Sequence, residues 1–234
     1  MSNEADVYRN RADEYDRLIS REDYQKNIST TLETLFRPEG LDIIDLGAGT
    51  GRLSSIFARK SGSLLAFDAS LAMLRICLQK FQGLEKNRTW TVTGDHRYIP
   101  LAPSTADVIL SGWSVSYLAS WEPVSAEKNL SLWLSEARRI LRASGLIILL
   151  ESLGTGNSQP IKLEHLRTFY EWLDKQHFQD TWIRTDYRFE SLDEAVRLTD
   201  FFFGRELSDR VREENLMILP ECTGIWWLEK EAPI

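Results

Sequence analysis

Residues 41–52, Leu-Asp-Ile-Ile-Asp-Leu-Gly-Ala-Gly-Thr-Gly-Arg, leave few architectures open. The largely apolar run from Leu41 to Leu46 reads as a buried strand, and Leu53, Ile56 and Phe57 begin a helical pattern straight after the turn. Glycines at 47, 49 and 51 take side chains away where the backbone must turn sharply and where a ligand can come close. Asp45 sits among apolar neighbours, and a carboxylate there is costly unless something pairs with it.

Further strand-like runs follow at 63–68, 89–93, 107–111 and 146–150. The clearest amphipathic helix is 127–142, with Leu130, Trp133, Leu134, Ala137, Ile140 and Leu141 on one face and Arg138, Arg139 and Arg142 near its carboxyl end. Helices alternating with short apolar strands predict an α/β fold with a doubly wound sheet. Residues 182–189 alternate as a sixth strand, and 216–219 with 224–228 give a last strand or strand pair. Two helices, 4–20 and 23–36, precede the first strand; Pro38 and Gly40 stop the second. After the second strand, Leu71 to Phe81 reads as a helix with Gly83 and Asn87 at its exit. Residues 152–160 are rich in Gly, Ser and Asn and read as a mobile loop, with a helix at 161–177 beyond it. The 234 residues suit one domain, 1–234. Its parts are a helical cap (1–40), a core (41–151), an insertion or lid (152–181) and a closing segment (182–234).

A net charge of −7 disfavours a broad phosphate-binding surface, so nucleic acid is not an expected partner. Cys77 and Cys222 stand far apart in no metal-like spacing, so neither a metal site nor a disulfide framework is expected, and a reducing cytoplasm fits. Residues 1–16 are too polar for a signal peptide, and no apolar run approaches a membrane span.

The pattern Asp45-x-Gly47-x-Gly49-x-Gly51 after a first strand resembles the cofactor loop of class I S-adenosylmethionine (SAM)-dependent methyltransferases. Within that class the chain is similar to the small-molecule group of ubiquinone and menaquinone biosynthesis, methyltransferase types 11 and 25. The rival dinucleotide fingerprint, G-x-G-x-x-G, needs its third glycine where Arg52 stands. The resemblance implies a Rossmann-like sheet of seven strands, mostly parallel with an antiparallel last strand, helices on both faces and an N-terminal helical cap. It implies SAM as cofactor, S-adenosylhomocysteine as product and a small-molecule acceptor.

Residue by residue, the resemblance places Gly47, Ala48, Gly49, Ser111 and Gly112 around the methionine end, with Asp45 orienting the loop and the amino group. Tyr8 and Tyr15 would meet the methionine end and Arg11 its carboxylate; both tyrosines could equally be half-buried packing residues. Asp68, about twenty residues after Asp45, would accept the ribose hydroxyls, with Ala69 beside it; the alternative is a helix cap, for which Ser70 is better placed. Met73 would pack on adenine or simply fill the core. Gly94 and Asp95 would read the adenine amino group, or form a polar turn, with His96 as a packing or backbone contact. Trp113, Ser116 and Tyr117 would face the acceptor. Several related families carry histidine near position 116; Ser116 here removes an obvious base. The remaining candidates for a base are Tyr117, His165 and Glu151, and one is needed only if the acceptor must lose a proton. Two other classes stay open: a non-catalytic or partner-dependent SAM binder, and a nucleotide-dependent oxidoreductase, against which Arg52 argues.

Overall fold

The computed structural model describes residues 3–84 and 88–231; Asn87, the first two residues of the cap segment and the last three residues of the chain lie outside them. Helices α1 (Asn3–Asn10), α2 (Ala12–Ile19) and α3 (Asn27–Leu35) precede strand β1 (Asp42–Leu46). Then come α4 (Arg52–Phe57), β2 (Ser63–Asp68), α5 (Leu71–Lys80), β3 (Thr89–Thr93) and β4 (Ala106–Gly112). α6 (Tyr117–Ser120), α7 (Ala126–Ile140), β5 (Leu141–Thr155), α8 (Arg167–Lys175) and β6 (Gln179–Arg184) follow. The chain closes with β7 (Tyr187–Arg188), α9 (Leu192–Phe203), α10 (Arg205–Glu213), β8 (Ile218–Leu219) and β9 (Glu221–Glu229).

Seven of these strands form one sheet in the order β3-β2-β1-β4-β5-β9-β6. The first five run parallel to one another, and β9 runs antiparallel between β5 and β6. This is the Rossmann-like sheet expected, with its antiparallel last strand. β1, β4 and the middle of β5 are buried almost throughout because helices cover both faces. On one face α7 and α8 bury Leu130, Trp133, Phe169 and Leu173. On the other, α3, α4 and α5 bury Leu32, Phe57 and Cys77. β7 and β8 pair apart from the main sheet, and α9 and α10 pack with them around Leu198, Val211 and Leu219. No helix among the described residues is long and apolar enough to cross a membrane.

Several boundaries differ from the sequence expectation. The single helix at 4–20 breaks at Arg11, whose φ of −132° and ψ of 33° are not helical; beyond the break Tyr15 meets Tyr8 edge-on at 5.3 Å. α3 starts four residues late because Lys26 is left-handed and Asp23, standing outside the helix, accepts from the amides of Asn27 and Ile28 at 2.7 and 3.1 Å. β5 is three times the expected length: it begins at Leu141, which pairs with Ala106 of β4, and β9 pairs with it as far as Thr155, so four of the nine residues expected as loop are strand. The helix expected at 161–177 is shorter, and its aromatic face enters the sheet core, where Tyr170 donates to the Ser152 carbonyl at 2.8 Å. The sixth strand stops at Arg184, and the chain switches sheets through Thr185, whose hydroxyl meets that of Thr223 at 2.6 Å.

Candidate functional site

The chain turns back on itself between β1 and β4: β2 and β3 lie to one side of β1, β4 and β5 to the other. In open α/β sheets the ligand crevice lies outside the strand tips at such a point. A cavity of about 370 Å³ opens there, with Tyr8, Tyr15 and Ile19 of the N-terminal helices along one side.

The glycine turn is its floor. Gly47 and Ala48 donate their amides to the Phe67 carbonyl at 2.7 and 3.0 Å, which ties the turn to β2. Gly47 has φ +78°, and a Cβ there would lie 1.9 Å from Ser114 Oγ, so no side chain fits. Asp45 finds the partner its position demands: Ser54 donates to it with its amide at 3.0 Å and its hydroxyl at 2.6 Å. Burial still pushes the Asp45 carboxyl up to about 7.

Asp68, at the tip of β2, accepts from the Gly49 amide on one oxygen at 2.8 Å and from the Ser70 amide on the other at 2.7 Å. Burial raises its carboxyl above the usual range. Ser70 caps α5 by accepting from the Met73 amide at 3.4 Å, so Asp68 is not that helix's cap. Ala69 and Met73 line the cavity beside it.

Gly94, Asp95 and His96 line the same cavity, and the Gly94 amide donates to the Asp68 carbonyl at 3.0 Å. The Asp95 carboxylate is clamped by Arg97: Nη2 at 2.6 Å, Nε at 3.0 and 3.1 Å, and the Arg97 amide at 2.9 Å. Arg97 holds the Asp95 carboxyl below its ordinary value. Four contacts fill the lone-pair directions of one carboxylate, so Asp95 first of all braces the turn. Burial pulls His96 down to about 4, which leaves it neutral at ordinary pH and a poor base.

Tyr8, Tyr15 and Tyr117 come together at the mouth. The Tyr8 and Tyr117 hydroxyls are 2.6 Å apart, and Tyr117 stacks on Trp121 at 4.6 Å. Gly112 and Trp113 leave β4 into the cavity wall.

Five expected residues stand elsewhere. Ser116, expected to face the acceptor, is buried against Glu151 and does not line the cavity, and four others are also displaced. Arg11 is exposed and turned away: it pairs with Glu14 and lies 4.2 Å over the Phe201 ring. Ser111 is buried, its hydroxyl donating to the Leu46 carbonyl and tying β4 to β1 rather than facing a ligand. His165 is on the surface, in the short turn before α8. Glu151 is buried behind Ser116, which hydrogen-bonds to it, and burial pushes its carboxyl up to about 7.

Sequence reasoning passed over Arg52, Arg97, Thr50 and Ser114, all of which line the cavity. The signal for Arg97 was available, since a cation two residues after an acid in a turn can fold back on it. Arg52 was used only as an argument against another motif, although a charged side chain inside a glycine loop must find partners.

Residues 44–149 match the family model described as "Methyltransferase domain". A demethylmenaquinone methyltransferase of Thermobifida fusca (strain YX) is 26% identical over 145 residues, 60% of this chain and 57% of that protein. An uncharacterized methyltransferase of Bacillus subtilis (strain 168), YrrT, is 28% identical over 103 residues, 44% of this chain and 46% of that protein. The chain thus spans about half the length of these curated relatives. Among solved structures, phosphoethanolamine N-methyltransferase 2 of Haemonchus contortus, in complex with SAM, superposes with a TM-score of 0.61 at 13% identity, over 99% of this chain and 60% of that one. The YcgJ protein of Bacillus subtilis superposes with a TM-score of 0.58 at 12% identity, over 90% of this chain and 100% of that one. These likenesses are likenesses of fold.

Proposed function

We propose that this chain is a class I methyltransferase that transfers a methyl group from SAM to a small-molecule acceptor by in-line displacement, in keeping with its fold and with the match of its core. The observation that carries the reading is the joining of Asp68 to the glycine turn within one cavity. A carboxylate has about four lone-pair directions, and two amides use one on each Asp68 oxygen. The two that remain suit the vicinal hydroxyls of a ribose. Gly47 and Gly49 let the methionine end approach the backbone, Ala48 and Gly112 leave it room, and Asp45 stiffens the loop through Ser54. Met73 and neutral His96 offer an uncharged bed for the base, and Asp95 with Arg97 closes that end.

Bound there, SAM supplies a methyl group already activated on a sulfonium. The chain's own task is alignment, which removes roughly 7–11 kcal/mol of barrier when nucleophile and leaving group are held in line. Tyr8, Tyr15 and Tyr117 exclude water at the mouth, and Trp113, Leu118 and Trp121 give the acceptor flat apolar walls. We therefore assign a small acceptor with a flat, partly apolar body, in keeping with the quinone named for the Thermobifida relative. Of the three candidate bases, Tyr117 is the one at the cavity. We read the chain as one catalytic unit with residues 1–40 as its cap. Two buried free cysteines are in keeping with work in a reducing cytoplasm.

The test is calorimetry with SAM and S-adenosylhomocysteine, followed by transfer of labelled methyl from SAM to a panel of small quinols, phenols and amines. Binding with turnover supports the proposal. Binding without turnover on any acceptor points to a SAM-binding protein, and binding of NADH in place of SAM overturns the reading.

A further inference from the structure

Arg52 lines the cavity, and its surroundings are unusual for a cation. Its guanidinium carbon lies 4.0 Å from the ring centroid of Trp113, and Nη1 donates to Glu22 at 2.6 Å. The Arg52 side chain is only 16% exposed and that of Glu22 only 3%. The other terminal nitrogen, Nη2, is buried and has no hydrogen-bond partner. Two residues earlier on the same turn, Thr50 Oγ1 is also buried and unpartnered, and Thr50 lines the same cavity. A charged donor left unsatisfied in a protein interior is a strongly unfavourable arrangement unless a ligand completes it. The arginine that the resemblance offered for the ligand's carboxylate, Arg11, is paired with Glu14 and Phe201 outside the cavity.

We propose that Arg52, with Thr50, is the receptor for a ligand carboxylate at the Trp113 end of the cavity, and that this is the carboxylate of SAM's methionine end. The proposal rests on the reading of the cavity as a SAM site. Asp68 and the Gly94–Asp95 turn mark the ribose and base ends; Trp113 follows Gly112 off the tip of β4, beyond the glycine turn. Arg52 therefore stands where the amino-acid end must lie. Glu22 is a positioning residue: through Oε2 it fixes one edge of the guanidinium while Trp113 fixes its plane. Nη2 and the other Glu22 oxygen, Oε1, are both buried without a hydrogen-bond partner, and Nη2 is the donor toward the carboxylate.

Charge decides between anions. Arg52 and Glu22 form a neutral pair, and Glu221 and Tyr187 lie close enough to feel both charges. The site therefore offers directed donors rather than a strong positive field. That suits a carboxylate that carries its own ammonium, as an amino acid does, over a multiply charged phosphate.

The test compares S-adenosylhomocysteine with 5′-methylthioadenosine, which has the same nucleoside and thioether but no amino-acid end. Both are titrated calorimetrically into the whole chain and into Arg52→Gln, Arg52→Lys and the double variant Glu22→Gln/Arg52→Gln, which strands no buried charge. We expect Arg52→Gln and the double variant to bind S-adenosylhomocysteine at least tenfold more weakly, with methylthioadenosine binding changed less than twofold. Arg52→Lys should recover part of the loss. Equal weakening toward both ligands, or unchanged binding of S-adenosylhomocysteine, overturns the proposal and leaves the SAM reading standing. If the unmodified chain binds neither compound, the SAM reading itself fails.

Discussion

The Gly49 amide donates to Asp68 Oδ2 across 2.8 Å, so the acid at the tip of the second strand and the glycine turn after the first are one unit. Asp68 thus serves the turn as well as any ligand. Asp68→Ala removes two charge-assisted contacts to the chain and those to the ribose together. At about 1.5–3 kcal/mol for each hydrogen bond to a charged group, SAM affinity should fall by roughly a hundredfold or more. Asp68→Asn keeps an acceptor for one amide at a time and should fall between. Calorimetric titration of S-adenosylhomocysteine checks both; equal affinity in Asp68→Ala and the unmodified chain would remove Asp68 from the site.

Three buried acids make stability depend on pH. Desolvation pushes Asp45 and Glu151 up to about 7, and desolvation with nearby Glu22 pushes Glu221 up to about 8. In the unfolded chain such groups ionise near pH 4, so between that point and their folded values the folded state binds more protons. The contribution of these three groups is therefore most favourable at acid pH and falls as pH rises toward 8, while carboxyls held low by a cation, such as Asp95, act in the opposite sense at the acid end. The melting temperature should drop across that window, and Glu221→Gln should flatten the upper part of the drop. Thermal melts from pH 5 to 9 decide; parallel curves for the two proteins would count against the assignment.

Much of this was legible in the residues, and the reason is local chemistry. The turn 47–51 announces itself because three alternate glycines all take positive φ there, and Asp68 because an acid ending an apolar strand has few other uses. What stayed hidden depends on contacts distant in sequence. No local pattern tells that Arg11 turns to Phe201, 190 positions on, or that Arg52 meets Glu22 across a helix, a strand and a turn. The length of β5 was hidden for the same reason: residues 152–155 read as loop by composition and become strand only because β9 lies alongside. Asp95 was found, but its clamp by Arg97 changes what it can offer a ligand.

The hydroxyls of Tyr8 and Tyr117, 2.6 Å apart, join α1 to α6 over the mouth. The Ser70 hydroxyl adds a second tie by donating to the Tyr8 carbonyl at 2.7 Å. Tyr8→Phe removes the first tie and keeps the second, at a cost of about 1 kcal/mol. Opening of α1 should therefore become roughly fivefold more frequent, seen as faster amide exchange in that helix with little change in melting temperature. Protection of α1 equal to that of the unmodified chain would show that the hydroxyl pair does not hold the cap.

Gly47→Ala should be the most damaging small change in the turn, for two separable reasons. The added methyl would sit 1.9 Å from Ser114 Oγ, and φ of +78° disfavours any side chain. Backbone strain of this kind costs on the order of 1–2 kcal/mol, and the clash adds to it. Ser114→Gly in the same chain removes the obstructing hydroxymethyl group without touching the strain. The double variant should then melt above Gly47→Ala and below Ser114→Gly alone, a coupling that denaturant titration of the four proteins would measure. Simple addition of the two single effects would mean that the chain at Ser114 shifts away in Gly47→Ala, since its Cβ at 2.4 Å is not cleared by a rotamer change, leaving strain as the main cost.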